Sequence, residues 1–141
     1  MRVLDSAAYV QMATVDPDGK PYCVPLSVAR EGEKLYFHSA QEGHKIDNLR
    51  RESRVCLSCV GDVSVVPGEF SLYYESVVLR GRARELDLRD EKIHALKLIC
   101  QRFTPDHMSA FDTAIEKGLD ITSVWCIEIE EICGKGRSRG E

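Results

Sequence analysis

Apolar and polar residues alternate with a period of two in the first third of the chain, a pattern typical of β-strands. Three such segments, residues 9–15, 20–30 and 34–38, are separated by short turns at residues 16–19 and 31–33. Proline and glycine in the first turn, and glycine in the second, favour tight reversals of the chain. We therefore predict three antiparallel strands joined by hairpins.

Further strands are predicted in the middle and at the end of the chain, where β-branched and other apolar residues dominate. They cover residues 54–60, 70–86 and 122–132, and the second of them is long enough that a bulge or bend is expected within it. A loop is predicted at residues 61–69, which contain a Pro-Gly pair.

Three other segments carry apolar residues at helical spacing. They cover residues 43–51, 87–103 and 109–117, and Pro105 follows the second segment where its helix is expected to end. Six strands with a few helices, and no long helical crossovers, predict a mainly β fold: an antiparallel β-barrel with flanking helices.

Length, composition and charge limit the classes of protein to consider. The chain has 141 residues, 43% hydrophobic and 30% charged, which suits a single core. We assign residues 1–133 to one domain and residues 134–141 to a flexible polar tail. The net charge of −4 disfavours nucleic-acid binding. No membrane association is expected, because no apolar run approaches about 20 residues, and without a signal-like N-terminus the expected location is the cytoplasm.

Six cysteines are present, and nothing in the sequence suggests export, so we predict reduced core residues rather than disulfides. Cys56 and Cys59 have the spacing of a redox or metal pair. On a strand, however, residues three apart point to opposite faces, and no second pair completes a four-ligand site. No metal site is therefore predicted.

Residues 35–45 combine a strand, a turn and the start of a helix. A helix N-terminus offers free N–H groups and the positive end of the helix dipole, both of which suit a phosphate. The Ser39 hydroxyl and the Lys45 ammonium would add a hydrogen bond and a charge. The alternative is a capping box formed by Ser39 and Glu42, with Lys45 in solvent. The residues alone leave both open.

Pro25 interrupts an otherwise regular strand and removes a hydrogen-bond donor, so it indicates an edge strand or a bulge. The backbone groups of Val24, Leu26 and Ser27 could there meet the edge of a planar ligand, or the strand could be an edge without any such role. Trp125, on the last strand, could belong to the core or cover a cofactor.

Arg80, Arg82 and Arg84 alternate on one strand. They could bind an anion or a partner, or they could be solvated and paired with carboxylates such as Glu128 and Glu130.

An ordered set of short motifs, spread over nearly the whole chain, resembles the pyridoxamine 5′-phosphate oxidase-like, FMN-binding split-barrel proteins, and within them the nitroimidazole-resistance (nitroimidazole reductase) branch. The motifs are residues 13–22, 24–27, 35–40, 43–45, 48–49, 76–83 and 127–135. The substrate-binding Arg/His pattern of true pyridoxamine phosphate oxidases is not found near the C-terminus, so oxidation of vitamin B6 is not expected.

The resemblance implies a six-stranded split barrel that forms a homodimer, with FMN sites at the interface. It implies that the strand at residues 24–27 lies along the isoalloxazine, that Ser39, His44 and Lys45 lie near the phosphate, and that His38 is the active-site residue. The cofactor-binding residues it implies are Val24, Pro25, Leu26, Ser27, His38, Ser39, Ala40, Gly43, His44, Lys45, Glu75, Ser76 and Trp125, the last three approaching from the partner subunit.

The function implied is an FMN-dependent oxidoreductase that reduces a small planar substrate such as a nitroaromatic or a quinone. The flavin would carry the electrons, and His38 would donate a proton or contact the substrate. FAD, a deazaflavin or haem stay open as cofactors. The alternatives are a non-catalytic dimeric module that binds flavin or haem, and a structural homodimer with a vestigial pocket.

Overall fold

Seven antiparallel strands and four helices make up the chain in a computed structural model, which describes residues 1–138. The strands are Val10–Val15 (β1), Pro21–Leu26 (β2), Ala29–Glu31 (β3), Lys34–Ala40 (β4), Arg54–Val65 (β5), Leu72–Glu85 (β6) and Thr122–Arg137 (β7). The helices are Arg2–Ser6 (α1), His44–Arg51 (α2), Arg89–Phe103 (α3) and Phe111–Gly118 (α4), with 3-10 turns at Pro105–Ala110 and Leu119–Ile121. The predicted mainly β fold with flanking helices is confirmed, with seven strands rather than six.

One sheet contains all seven strands, in the order β2-β1-β5-β6-β7-β4-β3. Its two edge strands, β2 and β3, follow each other in the chain and are separated only by Ser27 and Val28. The two edges of a sheet can lie this close only if the sheet curls round on itself. The sheet is therefore an open barrel, split between β2 and β3, and Met12, Phe37 and Leu57 are among the buried side chains that fill it.

The split explains why the predicted strand at residues 20–30 is two strands. β2 pairs with β1 as far as Leu26, whereas β3 pairs with β4 from Ala29 onward. Val28, in the link between them, is buried in the core. The Arg102 guanidinium of α3 donates to the carbonyl oxygen of Val28 and to that of Ala7 after α1. These hydrogen bonds hold the link in place. Local sequence patterns cannot predict them, because Arg102 is far from Val28 in the sequence.

Helices α3 and α4 cover one side of the barrel over a second apolar cluster, in which Tyr36, Leu96 and Val124 are buried. Helix α3 ends before Pro105, as predicted. Helix α1 was not predicted because its five residues are too few to show a helical period, yet its Val3 and Leu4 are buried in the barrel core.

The loop predicted at residues 61–69 is wrong in its first half. β5 continues to Val65, because after an irregularity between Val60 and Val63 it pairs with β6 again. β7 likewise continues along β6 to Arg137, so residues 134–137 are strand rather than tail. The last residues of the predicted tail, 139–141, lie outside the described part of the chain.

These strand ends form an arm, which we define as residues 60–78 and 133–137. Val77, at its base, belongs to the barrel core, whereas Val63, Val65 and Phe70 expose their apolar side chains.

The arginine stripe on β6 is occupied by ion pairs, which supports the second of the two interpretations left open. The pairs are Arg80–Glu131 at 3.2 Å, Arg82–Glu130 at 2.7 Å and Arg84–Glu91 at 3.4 Å. All three are exposed, so they contribute little to stability.

All six cysteines are free thiols. The prediction of core residues is correct for Cys59 and Cys126, which are buried, and wrong for Cys23 and Cys133, which face solvent. Among residues 1–138 no group of three His, Cys, Asp or Glu side chains is placed to hold a metal ion. Within the same range, no helix has the length and apolar character that crossing a membrane requires.

Candidate functional site

The split in the barrel leaves two strand edges open. Within residues 1–138, β2 has a strand neighbour only on its β1 side. β4 pairs with β3 only at Lys34–Tyr36, so its last four residues have a neighbour only on the β7 side. Because the link at Ser27 and Val28 joins β2 to β3, these two open edges diverge from a common point. The wedge between them is hereafter called the cleft.

Pro25 lies on the β2 edge of the cleft. It sits opposite Gln11 of β1, and its own side chain is exposed. The edge position predicted from its missing N–H is therefore confirmed. Val24 and Leu26 are half-buried, and the Ser27 hydroxyl donates to the carbonyl oxygen of Ala8 at 3.0 Å. The predicted ligand-facing strand thus borders the cleft with its backbone unpaired on that side.

The opposite edge of the cleft is the end of β4. Side chains alternate there, so His38 and Ala40 point to one face and Ser39 to the other. Ser39 is half-buried beside Ser123 of β7, while His38 is exposed. The protein atoms around His38 still lower the pKa of its imidazole through desolvation. A lowered pKa favours the neutral ring, which keeps one N–H donor and one acceptor nitrogen.

Helix α2 closes the wide end of the cleft. Its N-cap is Gly43, whose φ of 142° is a conformation that favours glycine, and no side chain caps the helix. The capping box of Ser39 and Glu42 therefore does not form, because Ser39 belongs to β4. In the described part of the chain, no side chain accepts a capping hydrogen bond from the first N–H groups of α2, next to His44 and Lys45.

A stacked pair of rings joins α2 to the start of β2. The rings of His44 and Tyr22 lie 3.8 Å apart with an interplanar angle of 29°. β2 continues from Tyr22 along the cleft with a rise of roughly 3.3 Å per residue. Val24 is therefore two residues along the strand from the ring that contacts the start of α2. The elements that border the cleft carry ten of the thirteen sequence-predicted cofactor residues: Val24, Pro25, Leu26, Ser27, His38, Ser39, Ala40, Gly43, His44 and Lys45.

Polar side chains that the sequence analysis did not select hold this end of the cleft together. His44 Nε2 lies 2.6 Å from Asp16 Oδ1, and the Asn48 amide donates to the same oxygen at 2.9 Å and to Thr14 Oγ1 at 3.0 Å. The hydrogen bond from Asn48, and then that from His44, holds the pKa of the Asp16 carboxyl below its usual range. The available signal was the spacing of His44 and Asn48, which are one helical turn apart.

The other three predicted cofactor residues lie elsewhere in the chain. Glu75 and Ser76 are on the arm, where Glu75 pairs with Arg2 at 2.6 Å and lines a groove of about 750 Å³ beside α1. Trp125 is only 2% exposed and stacks on Phe37 in the core. The interpretation of Trp125 as a cofactor cover is therefore corrected, because its ring is enclosed by protein.

The donor set of the cleft fits a phosphorylated planar cofactor. Ser39 offers a hydroxyl, His44 an imidazole and Lys45 an ammonium, next to the uncapped N–H groups of an eight-residue helix. The β2 edge offers unpaired backbone groups to the rim of a planar ring. Hydrogen-bond donors at the wide end suit a phosphate, and the unpaired backbone of β2 suits the edge of a planar ring. A flavin nucleotide contains both of these parts.

The open antiparallel barrel and its cleft define the class of protein, and comparison with known sequences gives the family. The sequence profile of the family described as pyridoxamine 5′-phosphate oxidase matches residues 1–136. The chain belongs to this family. It is 30% identical over 131 residues to an uncharacterized protein of Rhizobium meliloti, which covers 88% of this chain and 82% of the relative.

Two solved structures are similar to the chain as a whole. A candidate 5-nitroimidazole antibiotic resistance protein from Bacteroides thetaiotaomicron is 30% identical, with a TM-score of 0.80 over 94% of this chain and 79% of that protein. An FAD-binding protein from Mesorhizobium loti is 26% identical, with a TM-score of 0.64 over 97% and 91%. The family predicted from the ordered motifs is thus confirmed, and so is the similarity of the chain to a candidate nitroimidazole-resistance protein.

Proposed function

We propose that this chain binds FMN in the cleft and reduces a small planar acceptor such as a nitroaromatic or a quinone. The observation that carries the proposal is the unpaired edge of β2 with the uncapped start of α2 held beside it by the stacking of His44 on Tyr22. The similar proteins support it, since one is described as a nitroimidazole-resistance candidate and another as FAD-binding.

In this proposal each part of the cleft has its own task. A bound flavin would supply the transfer of electrons. Ser39, His44 and Lys45 would hold the phosphate through charge-assisted hydrogen bonds. The β2 edge at residues 24–27 would orient the ring with its free N–H and carbonyl groups. His38, on the facing edge, would hold the substrate through its neutral ring, or donate a proton when the ring is protonated, a form that its lowered pKa makes less common at neutral pH.

The direct test is the absorbance spectrum of the purified protein, before and after FMN is added. A flavin spectrum, or saturable binding of added FMN, is expected. Absence of both would overturn the proposal. A haem spectrum, or flavin binding without any turnover of nitro or quinone acceptors, would instead support the non-catalytic binding module.

Replacing Lys45 with alanine should weaken FMN binding about tenfold or more and leave riboflavin binding nearly unchanged. The physical reason is that an ammonium stabilises a phosphate by a charge-assisted hydrogen bond, and riboflavin lacks the phosphate. Fluorescence titration of both flavins measures the ratio of the two affinities. Lys97→Ala, an exposed lysine on α3, is the matched control. Equal effects on both flavins would remove Lys45 from the phosphate site.

Replacing His38 with glutamine should lower the turnover of a nitroaromatic acceptor by about a hundredfold, while FMN affinity changes little. Glutamine keeps an N–H donor but cannot transfer a proton, and general acid catalysis contributes typically 10²–10⁴-fold. Steady-state kinetics on the FMN-loaded protein checks this, with the exposed His107→Gln as the control. Unchanged turnover in His38→Gln would show that the residue does not donate the proton.

We also propose that two copies of the chain form a homodimer that completes each site. Glu75 and Ser76 lie on the arm, away from the cleft of their own chain, and the arm exposes apolar side chains beside them. In a two-fold dimer the arm of one copy can cover the cleft of the other. Light scattering should give twice the monomer mass. A monomer that binds FMN with full affinity would contradict this proposal.

A further inference from the structure

The polar network beneath His44 suggests how the proposed phosphate site is controlled. Asn48 and Thr14 are each 1% exposed, so the hydrogen bonds that position Asp16 are sheltered from water at their inner end. Asn48 donates to Asp16 Oδ1, which is also the oxygen that lies 2.6 Å from His44 Nε2. The imidazole is thus held between a fixed carboxylate and the ring of Tyr22, with which it stacks.

This arrangement settles which ring nitrogen carries a proton. The lowered pKa of Asp16 keeps its carboxylate ionised at neutral pH, and an ionised carboxylate can only accept hydrogen bonds. His44 Nε2 must therefore be the donor. In the neutral ring the remaining nitrogen, Nδ1, then has no proton and can only accept. A phosphate also only accepts, so it can be bound by Nδ1 only when the ring carries a second proton.

We propose that Asp16 is a positioning residue that holds His44 for phosphate recognition, and that the cofactor phosphate binds the doubly protonated form of His44. The inference rests on the proposed function. It predicts that FMN affinity falls as pH rises, because deprotonation of His44 turns a phosphate donor into a second acceptor. Riboflavin, which has no phosphate, should not follow this dependence.

Several other charged or titratable groups surround the imidazole. Lys20 in the β1–β2 turn is close enough to act on the Asp16 carboxylate, although it pairs with Asp18 at 2.9 Å. Tyr22 faces the ring from β2, and Lys45 is its neighbour on α2. Comparing wild type with His44→Gln separates the contribution of His44 from that of these groups, because glutamine can still donate to Asp16 but has no second ring nitrogen.

The experiment measures dissociation constants of FMN and of riboflavin from about pH 7 to about pH 9, where the FMN phosphate is already a dianion. In wild type the preference for FMN over riboflavin should fall about tenfold across this range. His44→Gln should show a weaker preference that does not change with pH. Asp16→Asn, which keeps the size of the side chain but removes its charge, should lose about tenfold of the preference at pH 7 and flatten the profile.

A matched control is provided by His94, whose Nε2 lies 2.7 Å from Glu31 Oε2 on the exposed side of α3. His94→Gln removes an equivalent pair outside the cleft, and it should behave as wild type. Nitrogen NMR of the His44 ring gives a second readout, since the neutral form should be the Nε2–H tautomer in wild type.

The outcomes separate this inference from the proposed function. If neither flavin binds, both are overturned. If FMN binds but its preference over riboflavin is constant from pH 7 to pH 9, or if Asp16→Asn matches wild type, only the role of Asp16 and His44 is overturned.

Discussion

Replacing Trp125 with alanine is expected to lower the free energy of unfolding by about 3–5 kcal/mol, the usual range when a large buried aromatic side chain is removed from a core. Trp125 is 2% exposed and lies parallel to Phe37, with ring centroids 6.2 Å apart. Since small domains are stable by about 5–15 kcal/mol, this single change would remove a large part of the total. Chemical denaturation followed by circular dichroism measures it.

The indole N–H of Trp125 adds a polar component to this loss. It donates to Ser123 Oγ at 2.8 Å, and the Ser123 hydroxyl donates to Glu85 Oε1 at 2.7 Å. Glu85 in turn accepts two hydrogen bonds from Arg50, at 3.0 and 3.1 Å. Trp125→Phe keeps most of the ring but removes the first donor, so it should cost only about 1–2 kcal/mol. A loss below about 1 kcal/mol in Trp125→Ala would contradict the core assignment.

Replacing Gly81 with alanine is expected to destabilise the protein by about 3 kcal/mol, or to prevent β6 and β7 from keeping their register. A Cβ atom at this position would overlap the carbonyl oxygen of Glu128 and lie 3.1 Å from Ile127 Cγ2. The obstacle is backbone rather than a flexible side chain, so neither strand can relieve it locally. The pairing of β6 with β7 also shifts between Arg80 and Gly81.

Gly134 provides the matched control, because it lies on β7 in the same ladder. The nearest atom to a Cβ there is the carbonyl oxygen of Ser76, at 3.9 Å, an ordinary contact distance. Gly134→Ala should change the free energy of unfolding by no more than about 0.5 kcal/mol. Equal effects of the two substitutions in thermal unfolding would show that the close approach at Gly81 is not the cause.

Local patterns predicted the elements whose partners are near in sequence. The turn at residues 16–19 forms as expected, with the Gly19 N–H donating to the Asp16 carbonyl at 2.9 Å. The missing N–H of Pro25 indicated an edge strand, and β2 is one. Helices α2 and α3 were predicted from apolar spacing, because each buries one side: Ile46 and Leu49 on α2, and Leu96 and Ile99 among others on α3.

Predictions failed where a distant partner decides the outcome. β5 extends through the predicted loop because residues 72–76 pair with it, and β7 extends into the predicted tail for the same reason. The break at Ser27 and Val28 depends on which strand pairs with each half of the segment, and on Arg102, which is more than 70 residues away. No pattern within the segment itself contains that information.

The candidate site divides in the same way. The sequence by itself determined the residue types: an edge strand at Pro25, a glycine-led helix start with His44 and Lys45, and an ordered set of motifs that identified the family. It could not decide whether these segments meet, nor that Trp125 is enclosed while Asp16 and Asn48 support His44. Tertiary structure decided these points, because the cleft forms where the sheet curls and leaves the edges of β2 and β4 unpaired. Pairing and burial are properties of the whole fold, whereas periodicity and turn chemistry are properties of neighbouring residues.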